Sequence, residues 1–70
     1  MVLGDIFFVP VPITLGQRVR AQRIFLRWRQ VALADEADVP PACVSRLERD
    51  LPIYPAAKSR ILQTLELTDG

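Results

Sequence analysis

The chain has 70 residues, half of them hydrophobic, and a formal net charge of +1. A chain of this length forms one domain and buries only about 60% of its unfolded surface, so stabilisation by a second subunit is expected. No apolar run reaches the roughly 18 residues of a membrane span, and one cysteine with no histidine excludes an internal disulfide and argues against a zinc site.

Residues 1–13 predict an extended apolar arm, because Pro10 and Pro12 fix their own φ and disfavour helix at the preceding residue. So much apolar surface is typical of an interaction site, and we expect an edge strand that pairs antiparallel with a second copy to give a homodimer. Folding of the arm back onto its own domain as core is the alternative. The residues assigned to the dimer contact are Ile6, Phe7, Phe8, Val9 and Val11, with Ile24 and Phe25 as candidate packing partners.

The same segment does not have the features of a secretory signal. It carries Asp5 and two prolines, and it lacks a positively charged leading stretch. A cytoplasmic protein is therefore expected, without a membrane partner.

The helical part begins with a capping box. Thr14 and Gln17 have its spacing, so a first helix is predicted to start at Leu15, with Leu15, Val19 and Leu26 on its inner stripe. Residues 14–29 contain five arginines and no acid, whereas the next helix and the residue after it carry three acids, Asp35, Glu36 and Asp38. A basic face beside an acidic one is indicated.

Three further helices follow from apolar spacing and proline positions. The second runs from about Gln30 to Ala37, residues 38–40 form a turn, and Pro41 begins a third that ends near Arg49. The fourth begins at Pro55, the second of two prolines in the loop at 51–55. The core positions are predicted at Leu33, Ala34, Ala37, Val39, Val44, Leu47, Ala57, Ile61, Leu62 and Leu65.

Most of this pattern resembles one known family. Residues 15–20 (Leu-Gly-Gln-Arg-Val-Arg) look like its first helix, Gln30 matches a glutamine that often begins its second, and residues 44–49 (Val-Ser-Arg-Leu-Glu-Arg) look like its Ile-Ser-Arg-Ile-Glu-Arg segment. Residues 14–67 thus resemble the Cro/C1-repressor-like, XRE-type helix-turn-helix DNA-binding family. The resemblance implies a compact, all-α, four-helix domain over residues 14–70, and an internal ion pair between Arg23 and Glu48.

The resemblance also implies how DNA is bound, with the recognition helix, about 41–49, in the major groove. Backbone donors and basic groups would hold phosphates, and exposed side chains of the third helix would read base edges, with Arg46 paired to guanine. The expected phosphate contacts are Arg29, Gln30, Cys43 and Arg49. The expected base-reading residues are Pro41, Ala42, Ser45 and Arg46.

The chain departs from the family at two places. Pro40, Pro41 and Ala42 stand where many members have hydrogen-bonding side chains, so either specificity comes from Arg46 and DNA shape, or the fold serves another partner. Asp50 stands where many members have the glycine that suits a left-handed residue after a helix.

The function expected is sequence-specific binding of operator DNA by a dimeric transcriptional regulator of phage or mobile-element type. The alternative is the same scaffold used for protein interaction, as an inhibitor of RNA polymerase or of another regulator, or as an antitoxin. An enzyme is not expected, since no acid, base and nucleophile converge. The Asp-Glu-Ala-Asp tetrapeptide at 35–38 lacks a phosphate-binding loop. No cofactor, metal or small-molecule substrate is expected.

Overall fold

The computed structural model describes residues 14–68, and in this range the chain is all-α. Four helices follow in order, α1 (Leu15–Phe25), α2 (Gln30–Ala37), α3 (Pro41–Glu48) and α4 (Pro55–Leu65). No β-strand occurs between residues 14 and 68. None of these helices is both long and apolar enough to cross a membrane. The predicted all-α class is confirmed, and the predicted arm lies outside the described residues.

The helix starts are those that local chemistry predicts. Thr14 Oγ1 accepts a 3.1 Å hydrogen bond from the Gln17 amide, and the Gln17 side chain accepts one of 3.1 Å from the Thr14 amide. These two bonds form a complete capping box at α1. Pro41 and Pro55 occupy the first turns of α3 and α4, where the missing N–H needs no intrahelical partner. The predicted starts of all four helices are confirmed.

The chain leaves each helix through a residue with positive φ that is not glycine. These residues are Arg27 (61°), Asp38 (58°), Asp50 (60°) and Glu66 (58°). The left-handed conformation costs a residue with a Cβ roughly 1–2 kcal/mol, and less for aspartate, whose short side chain bonds locally. All four helices therefore end in a left-handed turn that contains no glycine.

The core lies where α2 packs against both α3 and α4, and α1 packs mainly against α3. Leu33, Val44 and Ile61 are fully buried at its centre, and Trp28 is half-buried at its edge. The predicted core positions are confirmed, with Val39 packed against the core as a half-buried side chain. The buried set of the described chain is Val19, Leu33, Ala34, Ala37, Val44, Leu47, Ile61, Leu62 and Leu65, with Ala57 also buried.

The prediction for Leu26 was wrong. Leu26 is 37% exposed rather than part of the inner stripe of α1. The physical reason is that α1 ends at Phe25 and Leu26 is its C-cap, so the chain turns away from the helix axis before the stripe can continue. Only Leu15 and Val19 of the predicted stripe face the core.

The start of α1 is fixed to the end of α3 by one carboxylate. Asp50 Oδ1 accepts a 2.8 Å hydrogen bond from the Gly16 amide, and Asp50 Oδ2 accepts one of 2.8 Å from the Thr14 hydroxyl. The left-handed backbone of Asp50 directs its side chain to the first turn of α1. A negative charge is favourable there, because the free amides of a helix start carry partial positive charge.

Candidate nucleic-acid interface

The pair formed by α2 and α3 leaves one face of α3 in solvent. The helices meet across residues 38–40, where the Val39 amide donates a 3.0 Å hydrogen bond to the Ala34 carbonyl. Ala34 has no exposed surface, which lets the two helices approach closely. Val44 and Leu47 hold α3 to the core. The outward residues of α3 and its C-cap are Pro41, Ala42, Arg46 and Arg49, all exposed, with Cys43 and Ser45 half-buried beside them.

A part-buried ion pair ties α1 to α3. Arg23 Nε lies 2.6 Å from Glu48 Oε2 and Arg23 Nη2 lies 3.1 Å from Glu48 Oε1. The side chains are only 13% and 5% exposed. The same guanidinium donates to the Trp28 carbonyl at 2.8 Å, and the Gln30 side-chain amide donates to Glu48 Oε1 at 3.1 Å. The carboxylate of Glu48 thus joins α1, α2 and α3, and these bonds compensate the cost of burying both charges.

Above this ion pair lies a polar depression of about 300 Å³, which we call the cationic cleft. Its outer rim carries Arg20 and Arg49, and Arg49 Nη2 donates to the Ser45 hydroxyl at 3.3 Å. Three arginines and one glutamate leave an excess of positive charge in the cleft, which favours an oxyanion such as a phosphate. The lining residues are Arg20, Arg23, Gln30, Ser45, Glu48 and Arg49.

A second depression, of about 440 Å³, borders α3 on different residues and is called the apolar groove. Tyr54, which is 80% exposed, stands at its rim. Arg46 forms part of its wall, and the Nε of Arg46 donates a 3.1 Å hydrogen bond to the Pro52 carbonyl. The lining residues are Cys43, Arg46, Pro52, Ile53, Tyr54 and Pro55.

The structure distributes the expected phosphate contacts over several places. Gln30 and Arg49 line the cationic cleft, whereas Cys43 lines the apolar groove. Arg29 is the exposed N-cap residue of α2 and lines neither depression. Gln30 directs its amide N–H at Glu48, so this donor is already used within the protein.

The expected base-reading residues also separate. Pro41 and Ala42 are exposed at the start of α3. Ser45 lines the cationic cleft, and Arg46 lines the apolar groove. The outer face of α3 therefore has a positive border on one side and an apolar border on the other.

Arg20 is a site residue that the sequence reasoning did not select. It lies one helical turn before Arg23, and positions i and i+3 of a helix share a face. Because Arg23 was already assigned to the ion pair with Glu48, this spacing would have placed Arg20 beside α3. The helical spacing indicates Arg20 only if Arg23 is first paired with Glu48, which lies 25 positions away in the sequence.

The polar groups that line the cationic cleft are guanidinium, hydroxyl, amide and carboxylate groups. No cluster of metal-binding side chains occurs within residues 14–68. No protein-family model, no curated protein and no solved structure matches the chain.

Proposed function

We propose that the chain is a Cro/repressor-like helix-turn-helix protein that binds operator DNA as a homodimer and regulates transcription, in a phage or a mobile element. The observation that carries the proposal is the cationic cleft on the border of an exposed helix. Helices held across a three-residue turn, with the second one open to solvent, suit insertion of that helix into a major groove. The cleft supplies positive charge where the adjacent phosphates would lie.

In this proposal Arg20 and Arg49 bind backbone phosphates, and the ion pair beneath them keeps α1 and α3 in fixed relative positions. The hydrogen bond from Arg49 to Ser45 reduces the rotamer freedom that binding would otherwise remove. Arg29, at the start of α2, contributes a further charge beside amides that have no intrahelical acceptor. Such contacts orient the domain on DNA but carry no sequence information.

Base reading then rests on few residues. Arg46 is anchored through Nε to the Pro52 carbonyl, which leaves its two terminal nitrogens for guanine O6 and N7. One such paired bond discriminates between bases by roughly 1–3 kcal/mol. Pro41 and Ala42 offer apolar contact to a thymine methyl group. The remaining selectivity would come from the shape of the DNA.

The test is a band-shift titration of the full chain with the DNA that flanks its own gene, at two salt concentrations and with excess competitor DNA. We expect a discrete, competitor-resistant complex whose affinity falls by roughly one power of salt concentration per phosphate contacted. A complex that disappears with competitor, or no complex at low salt, would contradict sequence-specific binding.

Matched arginine variants locate the contact. Arg20→Gln and Arg49→Gln should each weaken binding to operator and competitor DNA by a similar factor, since both remove a phosphate contact. Arg60→Gln is the control, because Arg60 is exposed on α4, lines neither depression and bonds to Asp38. An equal loss in the control would show that overall charge, rather than the cleft, determines binding.

A second function, binding of a protein partner, is favoured by the apolar groove. An exposed tyrosine beside prolines and Ile53 resembles the aromatic anchor of a protein interface, and α3 begins without a hydrogen-bonding side chain at 40–42. Such a partner would be RNA polymerase, another regulator or a toxin. This binding should respond little to salt, and Tyr54→Ala should abolish it while DNA affinity remains.

A further inference from the structure

Four of the six exposed large apolar side chains within residues 14–68 lie between the end of α1 and the start of α2. Ile24 is 53% exposed, Phe25 77%, Leu26 37% and Val31 57%. We call these residues the apolar corner. Neither the cationic cleft nor the apolar groove includes them. Since large apolar side chains in solvent mark a contact surface, the corner needs an occupant.

The corner is the end of a strip along the outer face of α1. Ala21, Ile24 and Phe25 stand at i, i+3 and i+4, so they share one face, and all three are exposed. Ala21 is small, which leaves a shallow surface beside the helix axis. An extended segment could lie along this strip with its large side chains at the Phe25 end.

The charges near the apolar corner determine which kind of segment can bind there. Residues 14–34 contain no acid, and Arg20, Arg27 and Arg29 surround the corner in sequence. A basic partner would be repelled. Residues 1–13 are predominantly apolar, and Asp5 is the only charged side chain among them, of the complementary sign.

The length of the connection also fits this segment. From Thr14, where the segment joins α1, the 11 residues of the helix extend roughly 16 Å to Phe25. If it folds back alongside α1, an extended chain from Thr14 back to Val9 or Phe8 would span about 16–20 Å, enough to reach the Phe25 end. Pro10 and Pro12 lie within this connection and favour an extended backbone.

We propose that Ile6–Val9 of the same chain pack on the apolar corner, antiparallel to α1. A short connection gives such a segment a high effective concentration at the corner, so modest apolar contact is sufficient. Docking uses the side chains on one face of the segment and leaves its backbone edge available for pairing with a second copy. This inference does not depend on DNA binding.

Disulfide trapping tests the contact in the full chain, with Cys43→Ser to remove the native thiol. Phe8→Cys combined with Ile24→Cys should form an intramolecular disulfide about tenfold faster than Phe8→Cys combined with Glu36→Cys, an exposed position on α2. Gel mobility without reductant separates the products. A cross-linked dimer that forms with this pair but not with Phe8→Cys or Ile24→Cys alone would show that a second copy occupies the corner, and equal rates would show that the segment does not dock; either result overturns the proposal.

A double-mutant cycle followed by thermal unfolding tests the contact between Phe8 and Phe25 independently. Phe8→Asp and Phe25→Asp should each lower Tm, and the double variant should lower it no more than the larger single change, since both disrupt one contact. Tyr54→Asp is the control, because Tyr54 is equally exposed in the apolar groove. Its effect should add fully to that of Phe8→Asp. Additive effects of Phe8→Asp and Phe25→Asp would overturn the proposal.

Discussion

The amide of Gly16 donates to the carboxylate of Asp50 at 2.8 Å, and this contact is possible because residue 16 has no side chain. A Cβ on residue 16 would lie 2.5 Å from the Leu47 carbonyl oxygen and 2.8 Å from that of Glu48. The first turn of α1 therefore rests directly on the last carbonyls of α3. The distance between these helices, which form the cationic cleft, depends on this backbone contact.

Gly16→Ala should destabilise the fold by about 2 kcal/mol, because backbone oxygens cannot move as a flexible side chain can. The sign of the change in stability distinguishes this packed position from one in a free helix. In a free helix the same change stabilises by roughly 1 kcal/mol, through the higher helix propensity of alanine. Urea denaturation followed by circular dichroism measures the difference. A variant as stable as the parent would show that α1 and α3 can separate without cost.

Asp50 should tolerate asparagine better than alanine. Asparagine adopts the left-handed region and can still accept from the Gly16 amide, so we expect a loss below about 1 kcal/mol. Alanine removes the acceptors for Gly16 and Thr14 and retains an unfavourable φ, so we expect about 2 kcal/mol. Equal losses in denaturation experiments would mean that the side-chain bonds contribute nothing.

The contrast between local features, such as the capping box at Thr14, and the long-range bonds of Asp50 shows what could be predicted from the sequence. The capping box at Thr14 and the proline starts of α3 and α4 depend on neighbours within one turn, and the structure contains all three. The position of Asp50 after a helix was recognised, but its bonds to Thr14 and Gly16 span more than 30 positions. Such bonds follow from helix packing, which apolar spacing alone does not define.

Glu48→Ala should cost about 3 kcal/mol, because it leaves the largely buried guanidinium of Arg23 without its carboxylate. A chain of this size has a total stability of only about 4–10 kcal/mol, so part of the variant should be unfolded at ambient temperature. The double variant Arg23→Met with Glu48→Leu should recover most of the loss. A double variant as unstable as Glu48→Ala would indicate that the bonds to Gln30 and Trp28 matter more than the burial of charge.

Under the proposed function, Arg46→Ala should remove most of the preference for operator DNA and leave weak, salt-sensitive binding, because the proposed phosphate contacts would remain. Competition titrations with operator and unrelated DNA measure the ratio of the two affinities. Arg46→Lys should recover the charge but not the planar paired bond to guanine, and so should recover little of the preference. Full selectivity after Arg46→Ala would contradict the assignment of α3 as the reading helix.

The candidate site was harder to predict than the helices. Gln30 and Arg46 were selected as DNA contacts, yet each also bonds within the protein, to Glu48 and to the Pro52 carbonyl. These bonds arise because long polar side chains find the nearest acceptor once the helices are packed. Sequence identifies which residues are exposed on a helix, but the direction of a guanidinium depends on the loop beside it.

At two of the four helix ends, a glycine in place of the present residue should make the fold more stable. At Arg27 and Glu66 the left-handed backbone has no bonded short side chain to compensate it, so glycine at either position should add about 1 kcal/mol. Each change should raise Tm by roughly 4–8 °C in a domain of this size. Asp50 is different, because its side chain bonds α1 to α3. The two substitutions together should give a more stable variant for crystallisation or selection experiments. Neither position lies in the cationic cleft or the apolar groove.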